Sequence, residues 1–144
     1  MTTIEKLSKQ DLVVLNQLLE TANLPVVDIN DQTEHFFKAV DNAGAIVGAI
    51  GLEVYGNVGL LRSLVVNDTY RGKGVAKLLV DKLLSHSKSL HLNKLVLLTT
   101  TAEKYFEKYH FERIQRKDVP EEIKQSKEFS SICPVSAIVM QKTL

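Results

Sequence analysis

Residues Leu60 to Val80 read LLRSLVVNDTYRGKGVAKLLV. The apolar run Leu60 to Val66 breaks at the turn Asn67-Asp68-Thr69-Tyr70. Arg71-Gly72-Lys73-Gly74-Val75-Ala76 follows, and the apolar spacing then becomes helical. A strand therefore ends and a helix begins on a basic, glycine-marked bend. Such a bend suits an anion. The first helical N–H groups have no internal partner, and the helix dipole adds about half a positive charge there. Gly72 and Gly74 let a bulky diphosphate approach the backbone, Arg71 can bind in bidentate fashion, and Lys73 adds a second charge. Read alone, the same residues also describe an ordinary strand-to-helix turn with solvated basic side chains. The nucleotide-triphosphate pattern Gly-x4-Gly-Lys-Ser/Thr is absent, and so is the third glycine of a dinucleotide fingerprint.

Working outward, Ala45 to Tyr55 and Val58 to Val66 flank the turn Gly56-Asn57, and His35 to Asp41 precedes Asn42-Ala43-Gly44. These three segments predict an antiparallel meander. Ile4 to Leu7 predicts a short first strand. Ser8 and Asp11 open a helix with Leu12, Leu15, Leu18, Leu19 and Ala22 at helical spacing, closed by Pro25. Asp28 to Thr33 is polar and reads as a loop or short helix. Gly74 to Lys88 predicts a helix whose inward stripe is Val75, Leu78, Leu79, Lys82 and Leu83. Lys94 to Thr100 is a strand apolar on both faces. Thr101 to Tyr109 is a short helix, Phe111 to Arg116 an edge strand, Val119 to Ser126 a short helix, and Ala137 to Gln141 the last strand. Lys127 to Val135 is an irregular connection.

The chain has 144 residues, enough for one domain with a substantial core. A formal charge of +1 offers no global field for nucleic acid or acidic membranes. No apolar run approaches the ~20 residues of a membrane span. The N-terminus lacks a signal-peptide pattern, and Cys133, the single cysteine, excludes an intrachain disulfide. These features predict a cytoplasmic protein. His35, His86, His91 and His110 lack metal-ligand spacing, so no metal is expected. No Gly-x-Ser-x-Gly nucleophile is present.

Arg71-Gly72-x-Gly74-x-Ala76 resembles the Arg/Gln-x-x-Gly-x-Gly/Ala signature of the GNAT acetyltransferase superfamily. Leu64-Val65-Val66-Asn67-Asp68-x-Tyr70 is similar to its fourth strand and turn. Ala102-x-x-Tyr105-Phe106-x-x-x-His110-Phe111 resembles its Ala-x-x-Phe-Tyr-x-x-x-Gly-Phe helix. The resemblance runs from about Ile4 to Met140 and implies one domain over 1–144. The implied fold is three-layered α/β, with a central mixed, mostly antiparallel sheet splayed between the fourth and fifth strands. It implies acetyl-CoA as co-substrate, with Leu64, Val65 and Val66 binding the arm through backbone groups. Arg71, Gly72, Lys73, Gly74, Val75 and Ala76 would hold the diphosphate, and Thr99 and Thr100 would face the arm.

Direct transfer to an amine requires a neutral amine, a polarised thioester oxygen and a protonated leaving thiolate. The family's tyrosine acid aligns with Phe106, which would sit beside the sulfur. Tyr105 and Tyr109 flank it, but helical neighbours turn about 100° apart, so neither simply substitutes. The family's strand glutamate has no counterpart in Leu60-Leu61-Arg62-Ser63, leaving Glu53, a water chain or solvent as base. Cys133 is a candidate nucleophile, against the ordinary reading of a small buried hydrophobe. Arg62 interrupts an apolar strand and is expected on the same face as Leu64 and Val66, with Ser63 opposite. It reads either as a clamp for an acceptor carboxylate or as a structural partner of Glu53 or Glu34.

Thr99-Thr100-Thr101-Ala102-x-x-Tyr105-Phe106 followed by Phe111, then Val119-Pro120, is similar to N-acetylglutamate synthase catalytic domains. Ser126-x-Glu128-Phe129-x-x-x-Cys133-Pro134-x-Ser136-Ala137 resembles a small GNAT group associated with arsenic resistance. Both resemblances imply a carboxylate-bearing, amino-acid-like acceptor. The expected function is therefore acetyl transfer to the primary amine of an amino acid or analogue. An acyl-CoA-binding regulatory module and a protein or peptide N-acetyltransferase are the alternatives. The expected partner is a small-molecule amine, with a homodimer left open.

Overall fold

The computed structural model describes residues 2–28, 30–127, 129 and 137–144. Among these residues are seven strands and four α-helices. They are β1 (Thr3–Lys6), α1 (Leu12–Thr21), β2 (Phe36–Val40), β3 (Ile46–Tyr55), β4 (Val58–Val66) and α2 (Val75–Ser89). Then come β5 (Lys94–Thr99), α3 (Glu103–Glu107), β6 (Glu112–Ile114), α4 (Glu121–Lys124) and β7 (Ile138–Thr143). The strands form one sheet in the order β1-β2-β3-β4-β5-β7-β6, antiparallel except for β4 with β5. The predicted meander is β2-β3-β4. The last strand extends to Thr143, two residues past the sequence expectation, because β7 runs the full length of β5 to Thr143↔Lys94.

Each face of the sheet carries its own core. On one, Val75, Leu79 and Leu83 of α2 cover Phe37, Ile50, Leu52, Leu61, Leu95 and Leu97. On the other, Leu12, Leu15 and Leu19 of α1 cover Phe36, Ala49 and Val65. Ile123 of α4 and Val119 cover Val58, Leu60, Val96 and Val139 on a separate patch. The α2 stripe differs from expectation at one position. Leu78 is 44% exposed, and Val80 is buried instead. Both flank the Val75–Leu79–Leu83 line at helical spacing, and packing against the sheet selects the second. The Lys82 ammonium sits 5.5 Å from the centroid of the Phe37 ring, at the margin of the core as expected.

Three helices end in the same way. Asn23, His91 and His110 take positive φ of 58°, 60° and 68°. In each case the next N–H reaches back five residues along the helix: Leu24 to Leu19, Leu92 to Ser87, Phe111 to Phe106. This is the Schellman turn, with an apolar residue folding onto the helix it has just left. The glycine of the motif that Ala102 to Phe111 resembles is replaced here by His110, which holds the left-handed conformation without glycine's freedom.

His35 Nδ1 and His86 Nε2 lie 2.8 Å apart, joining the start of β2 to the last turn of α2. Burial, then the neighbouring His35, Lys6 and Lys82, lowers the His86 pKa below its usual value of 6.5. The unfolded chain therefore binds more protons than the folded one just below pH 6.5, so stability falls as pH drops through that window. Thermal melts at pH 7.5 and 5.5 are expected to show a smaller loss for His86→Gln than for the wild type. Equal losses would remove His86 as the source.

Candidate active site

Strand β4 pairs with β5 only at Val58↔Lys94, Gly59↔Leu95 and Leu60↔Val96. Beyond Leu60 the two strands diverge. The β5 side of β4 from Leu61 to Val66 thus faces a cleft rather than a neighbouring strand. The cleft, of about 550 Å³, is lined by Leu61–Val66 on one side and Leu97–Ala102 with Phe106 on the other. Arg71 stands at one end, and Ala22–Pro25 form a further wall. The two strands part where the sequence turns from continuous apolar residues to Arg62-Ser63.

A bulge sits at that point. Gly51 pairs with Arg62 and Ala49 with Val65, so the register shifts between them. Ser63 absorbs the extra residue with φ +62°, a left-handed conformation that costs a side-chain-bearing residue about 1 kcal/mol. The bulge reverses the alternation. Leu61, Leu64 and Val66 all pack toward α2, whereas Val65 packs toward α1. Arg62 therefore does not share a face with Leu64 and Val66, as simple alternation predicts. It lies on the Glu53 side, with the α1 loop.

The Arg62 guanidinium is enclosed. Its Nη1 donates to Glu53 Oε2 at 2.8 Å, its Nη2 to the Val26 carbonyl at 3.2 Å, and its Nε to Ser63 Oγ at 3.1 Å. Asp31 Oδ2 lies 3.6 Å from Nη1. The Tyr55 hydroxyl donates to Glu53 Oε1. Burial, and then that bond to Glu53, raises the Tyr55 pKa, which keeps the hydroxyl a donor. Lys127 Nζ reaches Asp31 Oδ1 at 3.2 Å. Two buried carboxylates thus face one buried guanidinium and one half-exposed ammonium. The pair of Arg62 with Glu53, one of the two readings of that residue, is present. Glu53, the candidate base, is 4% exposed and is not among the cleft-lining residues, with both oxygens engaged. Cys133 lies outside the described residues.

At the other end, Asn67 Oδ1 accepts from the Thr69 N–H and shapes one turn of 3-10 helix over Asp68–Tyr70. Gly72 and Gly74 follow with φ +76° and +80°, and a Cβ at either would meet nothing within 4 Å. Gly74 caps α2, whose first helical bond is Leu78 N–H to the Gly74 carbonyl. The N–H groups of Val75, Ala76 and Lys77 are left pointing out of the helix end. Arg71 Nε pairs with Asp68 Oδ1 at 3.1 Å, and Lys73 Nζ lies 5.4 Å over the Tyr70 ring. The Tyr70 hydroxyl donates to Asp41 Oδ2 at 2.9 Å, fastening this bend to the β2–β3 turn. An open, left-handed bend carrying two cations fits a diphosphate.

Thr99 Oγ1 accepts from the Ala102 N–H at 2.9 Å and so starts α3, while Thr100 and Thr101 border the cleft. Phe106 is 5% exposed and borders it too, wedged edge-on between Tyr105 and Phe111. The Tyr105 and Tyr109 hydroxyls are 3.3 Å apart, and neither residue borders the cleft. Among the described residues no group of three or more His, Cys, Asp or Glu could hold a metal ion. Among the described residues no helix is long and apolar enough to cross a membrane. The residues that sequence reading missed are Asp31, Tyr55, Asn16 and Gln32. Asn16, Asp31 and Gln32 have partners remote in the chain, at Val27, Arg62 and Val54, whereas Tyr55 bonds Glu53 two residues away on the same strand.

The family model described as Acetyltransferase (GNAT) family matches residues 5–111. Rv2747 from Mycobacterium tuberculosis, solved in complex with CoA and NLQ, superposes with a TM-score of 0.84 at 22% identity, over 99% of each chain. N-acetylglutamate synthase from Neisseria gonorrhoeae, complexed with coenzyme A and N-acetyl-glutamate, gives 0.84 at 14% identity. All of this chain corresponds to 35% of that synthase. The ribosomal-protein-S18-alanine N-acetyltransferase from Escherichia coli gives 0.75 at 17% identity, over 99% of this chain and 94% of the other. No curated protein matches the chain in sequence.

Proposed function

Because the chain belongs to the GNAT acetyltransferase family, and is an acyltransferase using acetyl-CoA, we propose that it acetylates the primary amine of an amino acid or close analogue. The observation that carries this is the open β4 edge from Leu61 to Val66, which borders one continuous cleft lined also by Arg71 and by Ala22–Pro25. Acetyl-CoA supplies an activated acetyl group. The N–H groups from Gly72 to Ala76, with Arg71 and Lys73, hold its diphosphate. Backbone groups of Leu64 to Val66 hydrogen-bond the amides of its arm, as an added strand would. Thr99 and Thr100 border the arm, and Phe106 packs beside the sulfur.

The acceptor enters at the Arg62 end. Its short, walled geometry suits a small molecule, and the similar Neisseria synthase is complexed with N-acetyl-glutamate. With Glu53 held by Tyr55 and Arg62, proton removal from the amine falls to water or to solvent ahead of binding. Turnover is best measured with acetyl-CoA against amino acids, their amides, short peptides and polyamines. Amino acids are expected to lead. Equal rates with amides would remove a carboxylate requirement, and faster peptides would favour a protein acceptor.

Phe106→Tyr is expected to fit with little steric change and to raise turnover above neutral pH by protonating the leaving thiolate. A CoA complex with the ring more than about 8 Å from the sulfur would reject this placement, since hydrogen-bond reach is only about 3 Å.

A further inference from the structure

The wall Ala22–Pro25 is a short span between two fixed points. Upstream, the Schellman turn at Asn23 locks it to α1, through Leu24 N–H to the Leu19 carbonyl at 2.9 Å. Downstream, Asn16 pairs with Val27 as a neighbouring strand would. Its Nδ2 donates to the Val27 carbonyl at 2.9 Å, and its Oδ1 accepts from the Val27 N–H at 2.8 Å. Val27 is 2% exposed, so those backbone groups depend on protein partners. The Arg62 guanidinium holds the adjacent Val26 carbonyl. Gln32 makes a second amide-to-backbone pair farther on, its Oε1 accepting from the Val54 N–H at 2.8 Å and its Nε2 donating to the Val54 carbonyl at 3.3 Å. Four consecutive residues between such anchors have little conformational freedom.

We propose that Ala22–Pro25 is a pre-formed rim that sets the size of the acceptor pocket, and that Asn16 is a positioning residue which holds it through Val27. The proposal rests on the reading that the acceptor enters at the Arg62 end. Asn16 itself does not border the cleft, so it acts only through the loop. A rim fixed before binding discriminates by fit. A loosened rim admits the same acceptor but must be ordered each time, and that cost falls on acceptor affinity rather than on the chemical step.

The test combines kinetics with amide exchange on Asn16→Ala, using the best amino acid of a twenty-member panel. Acceptor KM is expected to rise about tenfold, with kcat changed less than about threefold and CoA Kd nearly constant. Exchange of the Val27 amide, measured without acceptor, should accelerate at least about tenfold. If Asn16→Ala does not fold, Asn16→Asp keeps the acceptor for the Val27 N–H and loses only the donor, and should move both readouts the same way. Faster Val27 exchange with unchanged KM would overturn the rim's role. Unchanged exchange would overturn the pin. A wild-type enzyme that turns over no amino acid would overturn the acceptor reading and the rim with it, a result separable from either of the others.

Discussion

Gly74→Asp is expected to weaken CoA binding on the order of a hundredfold. Gly74 caps α2 at φ +80° with open space around its missing Cβ, so a side chain there is not blocked by protein. It projects instead into the space proposed for the diphosphate. A carboxylate a few ångströms from two phosphate charges, at an effective dielectric near 20–40, costs roughly 2–3 kcal/mol, the equivalent of about a hundredfold in Kd. The backbone adds a smaller, separate penalty of about 1 kcal/mol for a left-handed residue with a Cβ. Gly74→Ala carries only that second penalty and should lower Tm by a few degrees while leaving CoA affinity far less altered. Calorimetric titration of folded protein decides the matter. Unchanged affinity in Gly74→Asp would place the diphosphate elsewhere.

Arg62→Ala is expected to lower stability by about 3–5 kcal/mol, the usual loss when one partner of a buried pair is removed. For a chain of this size that is a fall in Tm on the order of 10 °C. Glu53 and Asp31, both nearly buried, would face each other with their shared cation gone. Arg62→Met with Glu53→Gln should recover much of the loss, because no uncompensated charge remains between those positions. Simple reversal of the Arg62–Glu53 pair should restore less, since Asp31 would then oppose a glutamate at position 62. A melting curve unchanged in Arg62→Ala, together with a raised acceptor KM, would instead make Arg62 a direct clamp for the acceptor carboxylate.

The architecture was legible where one-dimensional spacing controls it. Strand β4 occupies Val58–Val66 as read, because Gly56-Asn57 and Asn67-Asp68 punctuate it at both ends. The β4–β5 divergence came through the family resemblance. The face of Arg62 was not legible, because one extra residue at Ser63 inverts the alternation and nothing in Leu61-Arg62-Ser63-Leu64 marks a bulge. Helix α2 shows the same limit. Leu78 and Val80 are equally apolar in sequence, and only the sheet beneath decides which is covered. Asn16 and Gln32 were illegible for a related reason: their partners, Val27 and Val54, are backbone groups, which leave no signature in side-chain composition.

The sheet's interrupted middle has a consequence for solubility. An unpaired strand flank is ordinarily a template on which other extended chains can grow. Here the flank from Leu61 to Val66 lies within the domain, recessed between Leu97–Ala102 and the Ala22–Pro25 wall. A polypeptide strand, with side chains on both faces, would have to displace those walls to pair with it. A slender, unbranched chain bearing two amides would not. The recess thus works as a gauge on thickness: it keeps a sticky edge available to one kind of thin molecule and withholds it from the protein's own kind.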